Sequence, residues 1–559
     1  MTITTASLPL GKAIPNGPHA ISVQIPTWSD MCGMGRGDIQ IIKALQNGYP
    51  RTFIHKTIQK LCRACESRFL SSSAKILLFP DQQSAQACKN YITSSTTHQD
   101  EAVSSKSVAI FALEIGESRP TFLHAGQTPG PTLWAVVYPE ESAKLGALFW
   151  RLTGTGISSR LAEHSLQNIE SMQRVERPVK RFYSSMTTVH PVYQKIRTRI
   201  ANLLEQAPTG TPRNLTVKSS DVFLYPSGMS AIYHTHQMLL KWRGLESVVV
   251  GFPYELTIKM METYGPSFKF YSLGTDEQIS EFEIYLDSKA RAGSTIQAVW
   301  CECPSNPLLC TVDLERIRRL ANKYGFLVVV DETIGSFANV DVLGVADIVV
   351  TSLSKSFNGY ADLLAGSVAL NPNSGYYRAL KTCLIEGYTN NLYIDDAIQL
   401  ERNSRNFLQR TAQMNTTAES IVDYLSPFAS DPSSVVSAVH YPKTCQSAHH
   451  YTSRMRHATD EFTPGYGCLF TVDFDTLDAS RAFFDSLDVR KGPSLGANVT
   501  LAQPYVQMVL QKEKKWAASH GLRETIVRVS VGLEDKDALL QSVKNAHMMA
   551  EKTKGTHAL

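Results

Sequence analysis

No apolar run in this chain of 559 residues approaches the length needed to cross a bilayer. The longest, such as Phe326 to Val330, are the size of a strand. An excess of one charge is also missing. Lys and Arg number 55 against 51 Asp and Glu, a net charge of +4. A protein living on nucleic acid or on an anionic membrane would show a basic stripe, so neither partner is expected. The first residues, Met1-Thr-Ile-Thr-Thr-Ala-Ser-Leu-Pro9, lack the basic region and apolar core of a signal peptide. The last, Thr556-His-Ala-Leu559, match no peroxisomal or retention signal. The expectation is a soluble cytoplasmic protein. No internal repeat is visible. Zinc-ligand spacing is absent too. Cys62 and Cys65 have CxxC spacing, but no second pair or histidine group stands near them. They read as two buried, reduced thiols on one face of a helix, and no metal is expected.

What is present is a large core. With 43% hydrophobic and 19% charged residues the chain is globular, and its length calls for two or three packed units. Up to about Arg174, short strand and helix signals mix. Lys75–Phe79 reads as a buried strand, and Ser84–Ile92, Ala143–Trp150 and Ser158–Gln173 read as helices. From about Val179 the pattern changes. Apolar runs at Val222–Tyr225, Ser247–Gly251, Ala298–Glu302, Phe326–Val330 and Ile348–Ser352 alternate with helical stretches at Ser230–Trp242, Thr257–Tyr264 and Leu314–Tyr324. Such alternation predicts an α/β domain with a mainly parallel sheet, whose ligands bind beyond the carboxyl ends of the strands. Past Gly375, long helical patterns lead to the strand-like pieces Leu469–Asp473 and Ile526–Ser530, a smaller α+β unit. Ser426–Tyr466, rich in Ser, Pro and His, reads as a long loop or lid. The predicted division is 1–178, 179–384 and 385–559.

Three features fall at strand ends of the middle unit. Asp331 closes one apolar run. Lys355 follows another. Pro226-Ser-Gly-Met-Ser230 joins a strand to a helix. Singly, each has an ordinary explanation as a cap, a solvated charge or a turn. Together they match the needs of pyridoxal phosphate: a lysine to carry it, a carboxylate for its pyridinium nitrogen and an anion cradle for its phosphate. Asp331 would keep the ring nitrogen protonated, since an opposite charge favours the charged form. A helix opening at Ser230 offers free N–H groups, and Gly228 allows close approach. Ser352 and Ser354 add hydroxyls from the far side.

Glu302-Cys-Pro-Ser-Asn-Pro-Leu-Leu309, Val329-Val-Asp-Glu-Thr333 and Thr351-Ser-Leu-Ser-Lys355 resemble the Cys/Met-metabolism family of pyridoxal-phosphate enzymes. Tyr225-Pro-Ser-Gly-Met-Ser-Ala231, Pro253-Tyr254, Pro493-Ser-Leu-Gly496 and Arg528-Val-Ser-Val-Gly-Leu-Glu-Asp535 extend the match over residues 180 to 540. Pro18–Val23, Gly48-Tyr-Pro-Arg51 and Gly156-Ile-Ser-Ser-Arg160 resemble the N-terminal extension of fungal-type cystathionine γ-synthases. The resemblance implies the fold of the aspartate-aminotransferase-like transferases. It implies that Lys355 carries the cofactor and shuttles protons, and that Asp331 pairs with its nitrogen. It implies that Gly228, Met229, Ser352 and Ser354 hold the phosphate, that Tyr254 stacks on the ring and helps proton transfer, and that Thr333 sits beside it. Arg528 would grip the substrate carboxylate in a bidentate pair, with Asn306 and Ser494 helping to orient that carboxylate or the cofactor. The implied partners are amino acid substrates and further copies of the chain, as a dimer or tetramer with sites at the subunit interface.

Two departures stand out. Many members carry Tyr-x-Arg reaching the phosphate of a neighbouring subunit. Here the stretch is Arg181-Phe-Tyr-Ser-Ser-Met-Thr187, where Tyr183 matches and the arginine position is serine. Many also carry a Glu three residues after Ser-Leu-Gly, where this chain has Ala497-Asn-Val-Thr500. The expected reaction is γ-replacement on an O-activated homoserine, with cysteine giving cystathionine, as in transsulfuration and methionine biosynthesis. The alternatives are a γ-lyase, a sulfhydrylase using sulfide, and a specialised-metabolism enzyme joining the same four-carbon unit to a carbon or nitrogen nucleophile. A catalytically idle relative is disfavoured by Lys355, Asp331, Tyr254 and Arg528 being present together.

Overall fold

The structure is a computed structural model that describes residues 8–50, 52–71, 73–95, 101–115, 131–175, 190–210 and 212–557. Its centre is a seven-stranded sheet. Taken in chain order, the strands are Val222–Tyr225, Ser247–Val250, Phe268–Tyr271, Ala298–Glu302, Leu327–Asp331, Ile348–Thr351 and Gly366–Leu370. Their spatial order is 1-7-6-5-4-2-3, and every pair is parallel except those made by the seventh. Most are unbroken apolar runs because both faces are covered by helices.

The helix Leu314–Tyr324 shows how the sequence dictates this cover. Asp313 caps its start by accepting from the Arg316 N–H, and Gly325 ends it at φ 76°. Leu314, Ile317, Leu320 and Ala321 recur on one face and are buried. Each large apolar side chain buried this way stabilises the fold by about 1.5–3 kcal/mol.

A second sheet has five strands in the order Val436–His440, Leu469–Phe474, Val527–Ser530, Leu501–Gln503, Arg490–Lys491. Its core takes in residues from the start of the chain. Val23, Ile25, Trp28 and Met31 pack with Phe470 and Val529. A third sheet, all antiparallel, holds Lys75–Phe79, Thr132–Tyr138, Ala109–Ile115 and Met172–Val175 in that order. No helix among the described residues is long and apolar enough to cross a membrane.

Two expectations are corrected. Ser426–Tyr466 is not a long loop: it contains the strand Val436–His440 and the helix Ala448–Arg454. Small and polar residues conceal that strand, whose ladder is supplied by Leu469–Phe474. The helix expected over Ser158–Gln173 ends at Gln167, because Met172–Val175 pairs with Ala112–Ile115. Cys62 and Cys65 are both buried on the helix Lys56–Phe69, as read.

Candidate active site

The carboxyl ends of strands Val222–Tyr225, Ala298–Glu302, Leu327–Asp331 and Ile348–Thr351 share one edge of the central sheet. The loop after Thr351 carries Lys355, only 8% exposed. Its amine donates to the Tyr49 hydroxyl at 2.9 Å and to Ser494 Oγ at 3.0 Å. Both partners are hydroxyls, and no carboxylate lies within ion-pair distance of the amine among the described residues.

Asp331 ends its strand in register with Glu302 on the next. Its Oδ1 accepts from the Thr333 N–H at 2.9 Å. Burial pushes the carboxyl above its ordinary value, opposed by the Thr333 hydrogen bonds and the Lys355 charge. The residue lies deep, yet part of its surface is open, as expected of a side chain facing an internal space. Glu302 is pushed well up, first by burial and then by Asp331, and its Oε1 accepts from the Tyr254 N–H at 2.7 Å. Two buried acids so close do not both ionise readily. Burial and Asp331 both push Glu302 towards its protonated form, whereas the Thr333 hydrogen bonds and the Lys355 charge oppose the rise at Asp331. Tyr254, half-buried at the start of helix Glu255–Thr263, is anchored by that contact.

The helix Gly228–Trp242 opens at the same edge. Ser227 caps it, its hydroxyl accepting from the Ser230 N–H at 3.0 Å and donating to the Gly154 carbonyl at 2.9 Å. Gly228 lies so near Ser352 that an added Cβ would meet the Ser352 Cβ at 2.6 Å. Met229 is buried behind it. The Ser352 N–H donates to Thr333 Oγ1 at 2.8 Å, which locks the two loops together. Ser354 Oγ donates to the Ala365 carbonyl at 3.1 Å and accepts from its N–H at 3.0 Å. Its hydrogen is therefore committed to the backbone.

Arg528 comes from the second sheet and is 5% exposed. Its guanidinium donates to Asn306 Oδ1 at 2.8 Å, to the Ser494 carbonyl at 3.0 Å and to Gln503 Oε1 at 3.2 Å. The Tyr505 ring lies 5.1 Å away. Desolvation lowers its proton affinity, the consequence of burying a cation among neutral oxygens. That is the setting in which an added carboxylate binds strongly. Ser494 adopts φ 96°, unusual for a residue with a side chain, and joins Lys355 to Arg528.

The residues fit pyridoxal phosphate. A buried amine, a carboxylate without an ion-pair partner among the described residues and a glycine-walled helix start lie at one sheet edge. The structure thus gathers Lys355, Asp331, Thr333, Tyr254, Gly228, Met229, Ser352, Ser354, Asn306, Ser494 and Arg528. Tyr183 lies outside the described residues, as does the rest of Arg181–Thr187. In the other departure, Ala497 and Val499 pack on Ile14 and Ile21 of the N-terminal extension, an apolar setting. Sequence reasoning missed Tyr49, Glu302, Ser227 and Gln503. Glu302 and Ser227 stood inside matched segments at strand ends and were legible there. Tyr49 stood inside the matched stretch Gly48–Arg51, but its meeting with Lys355, like that of Gln503 with Arg528, is made by tertiary contact.

The family model for Cys/Met metabolism PLP-dependent enzymes matches residues 190–548. The model for the N-terminal domain of fungal trans-sulfuration enzymes matches residues 57–158. The chain is 40% identical to the alanine racemase ungC of Aspergillus violaceofuscus, over 97% of this chain and 96% of that protein. It is 36% identical to the cystathionine gamma-synthase-like enzyme iboG2 of Amanita muscaria, over 98% of each. It is 33% identical to a cystathionine gamma-synthase of Neurospora crassa, over 97% of this chain and 98% of the relative. The crystal structure of cystathionine gamma synthase from Xanthomonas oryzae pv. oryzae shares the fold at a TM-score of 0.53 and 22% identity, over 67% of this chain and 92% of that one.

Proposed function

Because the chain belongs to the Cys/Met-metabolism family of pyridoxal-phosphate enzymes, we propose that it performs γ-replacement on an O-activated homoserine. O-acetyl-L-homoserine is the first candidate, with cysteine as nucleophile and cystathionine as product. The cofactor is pyridoxal 5′-phosphate. When bound, it supplies a sink for the negative charge left by breaking a bond at the substrate's α carbon.

In this reading Lys355 carries the cofactor and, once freed, is the base that takes the α proton and returns it further along the substrate. Asp331 holds the ring nitrogen charged. Tyr254 stacks on the ring, with Thr333 beside it. Gly228, Met229 and Ser352 form the phosphate cup, Ser354 pins its loop to Ala365 rather than donating to the phosphate as expected, and Ser227 fixes the helix start. Arg528 takes the α-carboxylate, oriented by Asn306 and Ser494. One observation carries the reading. Ser494 binds the Lys355 amine through its hydroxyl and the Arg528 guanidinium through its carbonyl. The base and the carboxylate anchor are thereby tied to one residue, which supports an amino acid gripped by its carboxylate with its α carbon on the Lys355 side. The match to the fungal trans-sulfuration N-terminal domain supports the homoserine substrate. The same reading makes the protein a homo-oligomer, a dimer or tetramer, with its sites at the subunit interface.

A second reading has its own support. One relative at 40% identity is named an alanine racemase, and the Tyr49 phenol beside the Lys355 amine puts two proton-carrying groups at one site. Removal and return of the α proton without substitution would then be the whole reaction. A single panel separates the two. The protein is given O-acetyl-L-homoserine with cysteine, sulfide or a β-keto acid, and separately L-alanine in D2O, with products identified by mass and chirality. Cystathionine upholds the first reading, and a carbon–carbon adduct moves the nucleophile to the keto acid. Deuterated D-alanine without any replacement product upholds the second. Lys355→Ala should lose the visible cofactor band and all turnover, and a fully active variant overturns both.

A further inference from the structure

The N-terminal extension reaches the Lys355 amine itself. The Tyr49 carbonyl closes a turn by accepting from the N–H groups of Thr52 and Phe53 at 2.8 and 3.1 Å and from Thr52 Oγ1 at 3.0 Å. A Cβ on Gly48 would lie 2.6 Å from the Phe53 Cβ, so the turn closes only with glycine there. Pro50 is buried beside it. The turn thus aims the half-buried Tyr49 ring inward, where its hydroxyl takes a hydrogen bond from Lys355 and its ring centroid lies 4.4 Å from Nζ.

The extension also ties together the two loops that form this contact. The Ile21 N–H donates to the Ala361 carbonyl at 2.9 Å, in the loop that follows Lys355. Ser22 Oγ donates to the Pro493 carbonyl at 2.6 Å, one residue before Ser494. Further along, Arg160 donates to the Asp362 carbonyl at 2.8 Å and to Asp396 Oδ1 at 2.9 Å. A half-buried tyrosine commonly finds any nearby polar group. Here its turn, its ring face and its hydroxyl all converge on one amine, and the same segment braces both walls around it.

We propose that Tyr49 is an active-site positioning residue which, with Ser494, holds the Lys355 amine at its point of action, so that the N-terminal extension is a working part of the catalytic centre. The inference rests on Lys355 being the cofactor-bearing lysine. The groups facing that amine are Tyr49 from the extension, Ser494 from the second sheet's loop and Asp331 from the central sheet. Arg528 lies within electrostatic reach of Tyr49. Oxygens that accept from a protonated nitrogen favour its charged form, so removing one makes the proton leave at lower pH.

The test uses the full-length holoprotein. Borohydride reduction followed by peptide mapping first locates the modified lysine. A label on any lysine other than Lys355 overturns the premise, separately from Tyr49. The visible band of wild-type, Tyr49→Phe and Ser494→Ala proteins is then titrated against pH. The midpoint should fall by about half a pH unit or more in each variant. A midpoint unmoved or raised in Tyr49→Phe overturns the proposal. Site-specific 3-fluorotyrosine at position 49 keeps the ring's shape while weakening the oxygen as an acceptor. It should move the midpoint in the same direction, and no movement overturns the proposal even where Tyr49→Phe folds poorly.

Discussion

Glu302 and Asp331 stand opposite each other in register at the carboxyl ends of neighbouring parallel strands, yet their carboxyls have different partners. Glu302 receives the Tyr254 N–H and is pushed far towards its protonated form. Asp331 opens on the space beside Lys355. This asymmetry gives the first prediction. Glu302→Gln keeps the acceptor for Tyr254 and should retain most activity. Asp331→Asn removes the charge and should lower turnover by about two orders of magnitude, the scale on which loss of one preorganised electrostatic partner acts. Steady-state kinetics of the two variants decide this, and equal losses would refute the division of roles.

In the proposed phosphate cup, the close approach of Gly228 to Ser352 would set how near an anion comes. Gly228→Ala places a methyl against Ser352, which is pinned to Thr333. Cofactor affinity should fall at least tenfold, and the same clash should lower the melting temperature of the apoprotein. Fluorescence titration of the apoprotein with pyridoxal phosphate reads this directly.

Arg528 offers a fork, and lysine would offer a point charge. Arg528→Lys should therefore raise KM for the amino acid by about tenfold or more, the cost of losing one charge-assisted hydrogen bond. The band of the bound cofactor should stay in place. A variant with unchanged KM would show that the carboxylate is held elsewhere.

Glu332 is fully buried, and its Oε2 has no hydrogen-bond partner among the described residues. Burial pushes its carboxyl up to about 8 from an ordinary 4.5. A carboxyl raised in the folded state favours folding while protonated. Its contribution is present in full below the unfolded value and is lost as pH rises towards about 8. Stability of the apoprotein should thus decline between roughly pH 5 and 8, with this residue adding a slope of up to about 1.4 kcal/mol per unit. Glu332→Gln should flatten that decline in urea melts across the range, and an equally steep curve would contradict it.

The sequence determined the central sheet, because strands buried on both faces must be apolar throughout and Val222–Tyr225, Ala298–Glu302 and Leu327–Asp331 are continuous apolar runs or nearly so. It also determined Lys355, Asp331 and Gly228, each fixed to a strand end by local chain order. Where a segment's partner lay far along the chain, local pattern failed. Val436–His440 reads as loop until Leu469–Phe474 supplies its hydrogen bonds, and Met172 and Gln173 read as the end of a helix until pairing with Ala112–Ile115 draws Met172–Val175 into a strand. Tyr49 stands 306 residues from Lys355, and Arg528 meets Gln503 on the neighbouring strand and Ser494 in a loop. No periodicity records such meetings. They were decided by tertiary packing, since a hydrogen bond between distant residues depends on where the whole chain brings them and on nothing in their neighbours.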